Sequence, residues 1–281
     1  MTVIVSDTST LYSYDEAKKN KIYISPLHIS VDNKSYKEFE EIDSKTLISM
    51  IHEKKVPSTS QPSLGNKIDI YNSIDREEDI IDITIAKGLS GTYDSTLIAK
   101  QSAEYPERIH VFNSMTLCGP HRMLVDCANN MAKLGEKTSE IISMLEKSVK
   151  TEISYLIPRD FQFLLRGGRI NAAAANIGGF LKLVPVLKKS KDGTVLEKFC
   201  MSRTIKKSIQ TIIEDLKAEN IDNDYTIYIA HAFAMDTVKI IKELLSKSFP
   251  NNLIKIVELS PSFITQGGPG CIAIQTMKIC K

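Results

Sequence analysis

Short β-branched runs that end in turn residues and hand over to amphipathic segments recur through the first half of this 281-residue chain. That alternation leaves few folds open, because it is the pattern of βα units around a mainly parallel sheet. Residues 3–5, 80–86 and 109–112 read as strands, while 44–54, 92–103, 120–133 and 139–150 space their apolar residues as helices do. Residues 1–151 are therefore expected to form one three-layer α/β domain.

From residue 152 the texture changes. Residues 152–157 read as a strand and 159–165 as a helix that Gly167-Gly168 must stop. Strands follow at 184–188, 194–200, 226–231, 255–259 and 271–277, with helices near 172–181, 206–219 and 235–246. Asp192-Gly193, set between two of these strands, is a two-residue hairpin signal, so the second sheet must be partly antiparallel. The expectation is an α/β protein of two domains, the second of them mixed α/β over residues 152–281. The length agrees with two domains.

Composition excludes several classes. With 42% hydrophobic and 25% charged residues the chain has the material for a core, and its net charge of +2 is too small to suggest nucleic acid or an anionic membrane as the main partner. The opening Met1-Thr2-Val3-Ile4-Val5-Ser6-Asp7 reads as a strand at once, without a signal peptide, and no run approaches the roughly 18 apolar residues of a membrane span. A cytoplasmic protein is expected. Cys118, Cys127, Cys200, Cys271 and Cys280 are odd in number and lack CxxC spacing, and the histidines show no metal-ligand spacing, so neither a disulfide framework nor a metal is expected. A P-loop and a dinucleotide fingerprint are both absent, which argues against a nucleotide or another cofactor.

Three glycine or hydroxyl segments could hold an anion. Gly88-Leu89-Ser90-Gly91-Thr92 follows an apolar strand and opens a helix, where free N–H groups and the positive end of the helix dipole collect. A plain capping role for Ser90 explains the same residue. Val56-Pro57-Ser58-Thr59-Ser60-Gln61-Pro62-Ser63 is expected to be a loop rich in short donors, with a helix starting at Pro62. Gln266-Gly267-Gly268-Pro269-Gly270 could aim successive N–H groups into a nest, or simply make a tight turn. Arg169, just past the helix stop, offers a planar fork for a phosphate or a partner's carboxylate. A serine hydrolase built from Ser90, His231 and Asp7 is the enzymatic alternative; the residues 88–92, GLSGT, depart from the GxSxG elbow.

Taken together, Ser6-Asp7-Thr8-Ser9, Thr59-Ser60-Gln61-Pro62, Gly88-Leu89-Ser90-Gly91-Thr92-Tyr93, Gly167-Gly168-Arg169-Ile170, the strand with Pro185 leading to Asp192-Gly193, and Gly268-Pro269-Gly270 resemble, in order, the DegV family of bacterial fatty-acid-binding proteins. The resemblance covers nearly the whole chain. It implies a long-chain fatty acid in an interdomain cleft, with no catalysis by the chain itself and its carboxylate presented to a separate ATP-dependent fatty acid kinase for acyl-phosphate formation and phospholipid synthesis. The ligand-binding set it implies is Thr59, Ser60, Ser90, Gly91, Gln266, Gly267 and Gly268; Arg169 and Arg203 would face the kinase. Ile177, Phe180, Leu181 and Phe263 would line the acyl tail, though the same residues would fill an ordinary core. The family usually has His at the position of Gln266, and an amide can donate a hydrogen bond there but carries no titratable charge. Residues 113–119 also depart from the family pattern. Burial of an acyl chain at about 0.8 kcal/mol per CH₂ supplies affinity, leaving the polar groups to orient the head. Binding of another small hydrophobic anion is the remaining alternative.

Overall fold

The computed structural model describes residues 1–170, 183–190 and 193–280. The expected helix at 172–181, with Ile177, Phe180 and Leu181, and the turn residue Asp192 lie outside them. The chain divides into two compact units: Met1–Lys150 with Ser260–Ser262 and the residues from Ile279 on, and Thr151–Leu259 with Phe263–Lys278. A boundary at 151/152 does not represent the returns to the first unit, because contacts set them and composition does not.

In the first unit, β1 (Thr2–Asp7), β2 (Tyr23–Ser25), β6 (Asp79–Thr84) and β7 (Ile109–Asn113) form a parallel sheet in the order β2-β1-β6-β7. Between them run α1 (Tyr14–Asn20), β3 (His28–Val31), β4 (Lys34–Lys37), α2 (Ser44–His52), β5 (Ser58–Ser60), α3 (Leu64–Ser73) and α4 (Thr92–Ser102); α5 (Cys118–Lys133) and α6 (Thr138–Ser148) follow. Alternation along the strands sorts the two faces. Val3, Val5, Ile80, Ile109 and Val111 pack with Tyr71, Ile74 and Ala99 of the α3–α4 side. Ser6 and Ile83 face the other way and bond to His121 of α5. That helix buries His121, Leu124, Val125 and Ala128, one stripe at helical spacing.

The first unit also holds a second, antiparallel sheet, β4-β3-β5, which the mainly parallel pattern does not announce. Its hairpin turns through Asp32 and Asn33, both in the left-handed region at φ 49° and 63°, the backbone that a tight two-residue turn requires. Residues 58–60 are thus strand β5 and not loop. Ser63 caps α3, its hydroxyl accepting the Asn66 N–H, so that helix starts beyond Pro62.

The second unit carries β8 (Ile153–Ile157), α7 (Phe161–Gly167), β9 (Val184–Lys189), β10 (Leu196–Ser202), α8 (Ile205–Ala218), β11 (Thr226–His231), α9 (Met235–Ser248), β12 (Leu253–Glu258) and β13 (Ile272–Met277), together with α10 (Pro261–Gly267) from Phe263 on, the first two residues of that helix belonging to the first unit. The sheet order is β10-β9-β8-β13-β11-β12, antiparallel throughout except for β11 beside β12. Ile209, Ile212, Ile213 and Leu216 of α8 pack with Val238, Ile241 and Leu245 of α9 and with Ile227 and Ile229 of the sheet. Past the paired residues of β9 and β10, the Ser190 N–H donates to Val195 O at 3.0 Å. Helix α10, for which the sequence carried no expectation, has Pro261 at its first position, where a missing N–H is harmless.

Candidate functional site

Strand β5 is an edge of the small sheet, pairing only with β3, with Thr59 opposite Ile29 and Ser60 opposite His28. Alternation leaves Thr59 half-buried and Ser60 exposed. Directly after it, Gln61 lays its carboxamide over Gly91: a Cβ at position 91 would stand 2.6 Å from Gln61 Oε1. The fold thereby brings the Thr59-Ser60-Gln61 segment against the turn that opens α4. Gly91 is the N-cap of α4 and offers no side-chain cap. Ser90, half-buried, accepts the Thr92 N–H at 3.3 Å and lies 2.8 Å from Thr92 Oγ1. Its hydroxyl therefore has a local tie to the helix start, one residue ahead of the N-cap. Lys87 sits beside the same turn, its ammonium paired at 2.9 Å with Asp94, both exposed.

In the second unit the glycine segment works mainly by packing. Gln266 presses its carboxamide on Gly167, where a Cβ would meet Oε1 at 1.8 Å. Gly267 leaves room for the Cys271 thiol and Gly268, at φ +79°, for the Phe163 ring, 2.7 Å from where its Cβ would be. The Gly268 N–H donates to Ile264 O and the Gly270 N–H to Ala232 O, both at 2.8 Å, so of the two readings of this turn, a nest or a tight connection, these two groups follow the second. Gly168, at φ 68°, ends α7 as a left-handed cap. Beyond it Arg169 is half-buried and donates to Gly167 O, and burial lowers its pKa. Arg203 stands exposed immediately before Thr204, the N-cap of α8. Phe263 is half-buried on α10.

The structure also assembles buried polar groups, among them Asp7 and Ser9 of the first motif together with His121 and Glu38, which no motif marks. His121 is fully buried, with Nδ1 2.7 Å from Ser9 Oγ and Nε2 3.0 Å from Ile83 O. A proton on Nε2 satisfies both contacts, with Ser9 donating to Nδ1. Burial outweighs the pull of Asp7 and holds this imidazole's pKa below its ordinary value. Asp7 itself uses one carboxylate oxygen for the Ser9 N–H and the other for the Ile85 N–H, each at 2.9 Å. Glu38 is buried too; its carboxylate takes the Ser262 N–H at 2.7 Å and the Thr8 hydroxyl, and burial pushes its pKa up. His121 is foreshadowed only as a polar residue on an otherwise apolar helix face.

The family model described as "Uncharacterised protein, DegV family" matches residues 1–278. A DegV domain-containing protein of Listeria innocua is 29% identical over 279 residues, covering 96% of each chain. Among solved structures, the chain is similar to DegV, a fatty acid binding protein from Bacillus subtilis, at 27% identity and TM-score 0.85 over 99% of both chains. A Thermus thermophilus DegV family protein, described for its fatty acid binding, superposes with TM-score 0.87 at 24% identity over 99% of both chains. Among the described residues no helix is long and apolar enough to cross a membrane.

Proposed function

Because the chain belongs to the DegV family, we propose that it binds a long-chain fatty acid in the cytoplasm and presents its carboxylate to a separate fatty acid kinase. The observation that carries this reading is the meeting of the β5 exit with the α4 start. Thr59, Ser60 and Ser90 supply hydroxyls beside the N-terminus of α4, where Gly91 lets the Gln61 carboxamide pack closely and join the two segments. These are uncharged donors. They orient a carboxylate without neutralising it, which leaves its oxygen nucleophilic for attack on a phosphoryl donor, and the acyl chain supplies the affinity. The Bacillus subtilis relative, a fatty acid binding protein, supports the ligand class. Arg169 and Arg203 are proposed to face the kinase, whose acidic groups or bound phosphates a guanidinium fork would engage. In this reading the chain is a carrier and performs no chemistry of its own.

The test is mass spectrometry of the purified protein under native and denaturing conditions, followed by Ser90→Ala. A co-purified or readily acquired long-chain fatty acid at one per chain is expected. Ser90→Ala is expected to keep the fold and to lower kinase-dependent acyl-phosphate formation about tenfold, the effect of losing one hydrogen bond to a charged group of about 1.5 kcal/mol. A chain that stays empty in excess fatty acid sinks the reading; normal binding and turnover in the variant removes Ser90 from the site.

A further inference from the structure

On the first unit, α1, β2 and the end of β4 enclose a cavity of about 530 Å³ that shares no residue with the site above. Its volume lies within the range of small-molecule sites, roughly 300–1,000 Å³. The floor is apolar, built from Ile22 and Ile24, both nearly fully buried, with Ile70 of α3. The walls include two tyrosines that remain unusually open for their size, Tyr14 at 53% and Tyr23 at 40% exposure. Three ammonium groups line it, those of Lys18, Lys21 and Lys37, against the single carboxylate of Glu40, which lies 3.6 Å from Lys37. Lys18 and Lys21 have no ion-pair partner among the described residues.

Lys21 adds a second observation. It caps α1 in the left-handed conformation at φ 59°, its N–H donating to Lys18 O at 3.1 Å. Glycine or asparagine fills such a position with less strain. The Lys21 side chain lines the cavity.

We propose that this cavity is a binding site for a small aromatic anion, a ring system carrying a phosphate or a carboxylate. The apolar floor and the tyrosine rings accept a flat ring, and Lys18 and Lys21 accept its charge. Phosphate and carboxylate offer the same chemistry to two ammonium groups, so the head group is decided by the measurement. Lysines beside β2, an edge of the parallel sheet, would also deter pairing with a foreign strand, a role that needs no ligand. Binding measurements separate the two explanations.

The full chain, kept in excess oleate so that the fatty-acid site cannot take up the probes, is titrated calorimetrically with 1-naphthyl phosphate and with 1-naphthoate. Saturable binding of at least one is expected, with 1-naphthol and inorganic phosphate binding more weakly. Lys18→Ala/Lys21→Ala is expected to weaken the anion at least tenfold while leaving the circular dichroism spectrum and oleate uptake unchanged. The tighter of the two anions identifies the head group. The proposal is overturned if neither anion binds saturably, if the double variant binds as well as the parent, or if 1-naphthol binds as tightly as the anions.

Discussion

Strand β6 of the first unit and strand β11 of the second are both interior strands, and they are built differently. In β11 the buried Ile227 and Ile229 pack against the aliphatic faces of α8 and α9. In β6 the middle of the strand is Asp82, fully buried, with Lys67 Nζ at 2.5 Å and the Tyr71 hydroxyl at 2.6 Å. Burial and the Asp82 charge together push the Tyr71 pKa far up, so Tyr71 stays a donor. Apolar packing is forgiving of position, whereas a buried ion pair is satisfied in only one arrangement. Lys67 and Tyr71 lie on α3, so their bonds to Asp82 fix that helix, and with it the end of β5 that carries Thr59 and Ser60, against the sheet. Strand β6 is thus held by directional contacts from α3 and β11 by non-directional ones, although the second unit keeps a buried pair of its own, Lys189 with Glu152.

The strongest way to break this contrast is Lys67→Met, which strands Asp82 as an uncompensated buried charge. A loss of about 3–5 kcal/mol in urea unfolding is expected, with much of it recovered by adding Asp82→Leu. A loss below about 1 kcal/mol for the single variant would show that the pair does not pin the unit.

The contrast is sharpened by pH. His121 has a folded pKa lowered chiefly by burial, so below its ordinary value of 6.5 the unfolded chain binds a proton that the folded one refuses. Its contribution to stability is present above about pH 6.5 and is lost as pH falls, with a slope of at most about 1.4 kcal/mol per pH unit. Glu38 runs oppositely: its raised pKa gives a contribution that is full below the ordinary carboxylate range and is lost as pH rises through the raised value. Urea unfolding at about pH 5.5 and about pH 7.5 should therefore show a smaller acid loss in His121→Gln than in the parent. Equal losses would exclude His121 as the titrating group.

The smallest effect is expected in the apolar strand. Ile229→Val removes one methylene from the second unit's core and should lower stability by about 0.5–1.5 kcal/mol without changing its pH dependence. A loss like that of Lys67→Met would mean that β11 is as exacting as β6.

Much of the framework was legible in the residues. Residues 80–86 and 226–231 announced strands, Gly167-Gly168 the end of α7, and the GLSGT segment a strand-to-helix turn, because local propensity and burial pattern agree there. The antiparallel β4-β3-β5 sheet was not legible, since His28–Val31 is short and polar Lys34–Lys37 lacks an apolar face. Nor was the fate of the 266–270 N–H groups: a glycine-rich string is compatible with both a nest and a tight packed turn, and only the partners Ile264 and Ala232 decide between them.

By itself, the sequence determined the class of the fold, the order of most elements and the residue types available to hold an anion, all of which follow from periodicity and from chemistry within a few neighbouring positions. The tertiary structure alone decided which of those residues meet. Gln61 over Gly91, Lys67 on Asp82, Ser9 on His121 and Ser262 on Glu38 are separated by between 15 and 224 positions. Contacts of that range depend on the joint packing of several elements, and no local propensity encodes them.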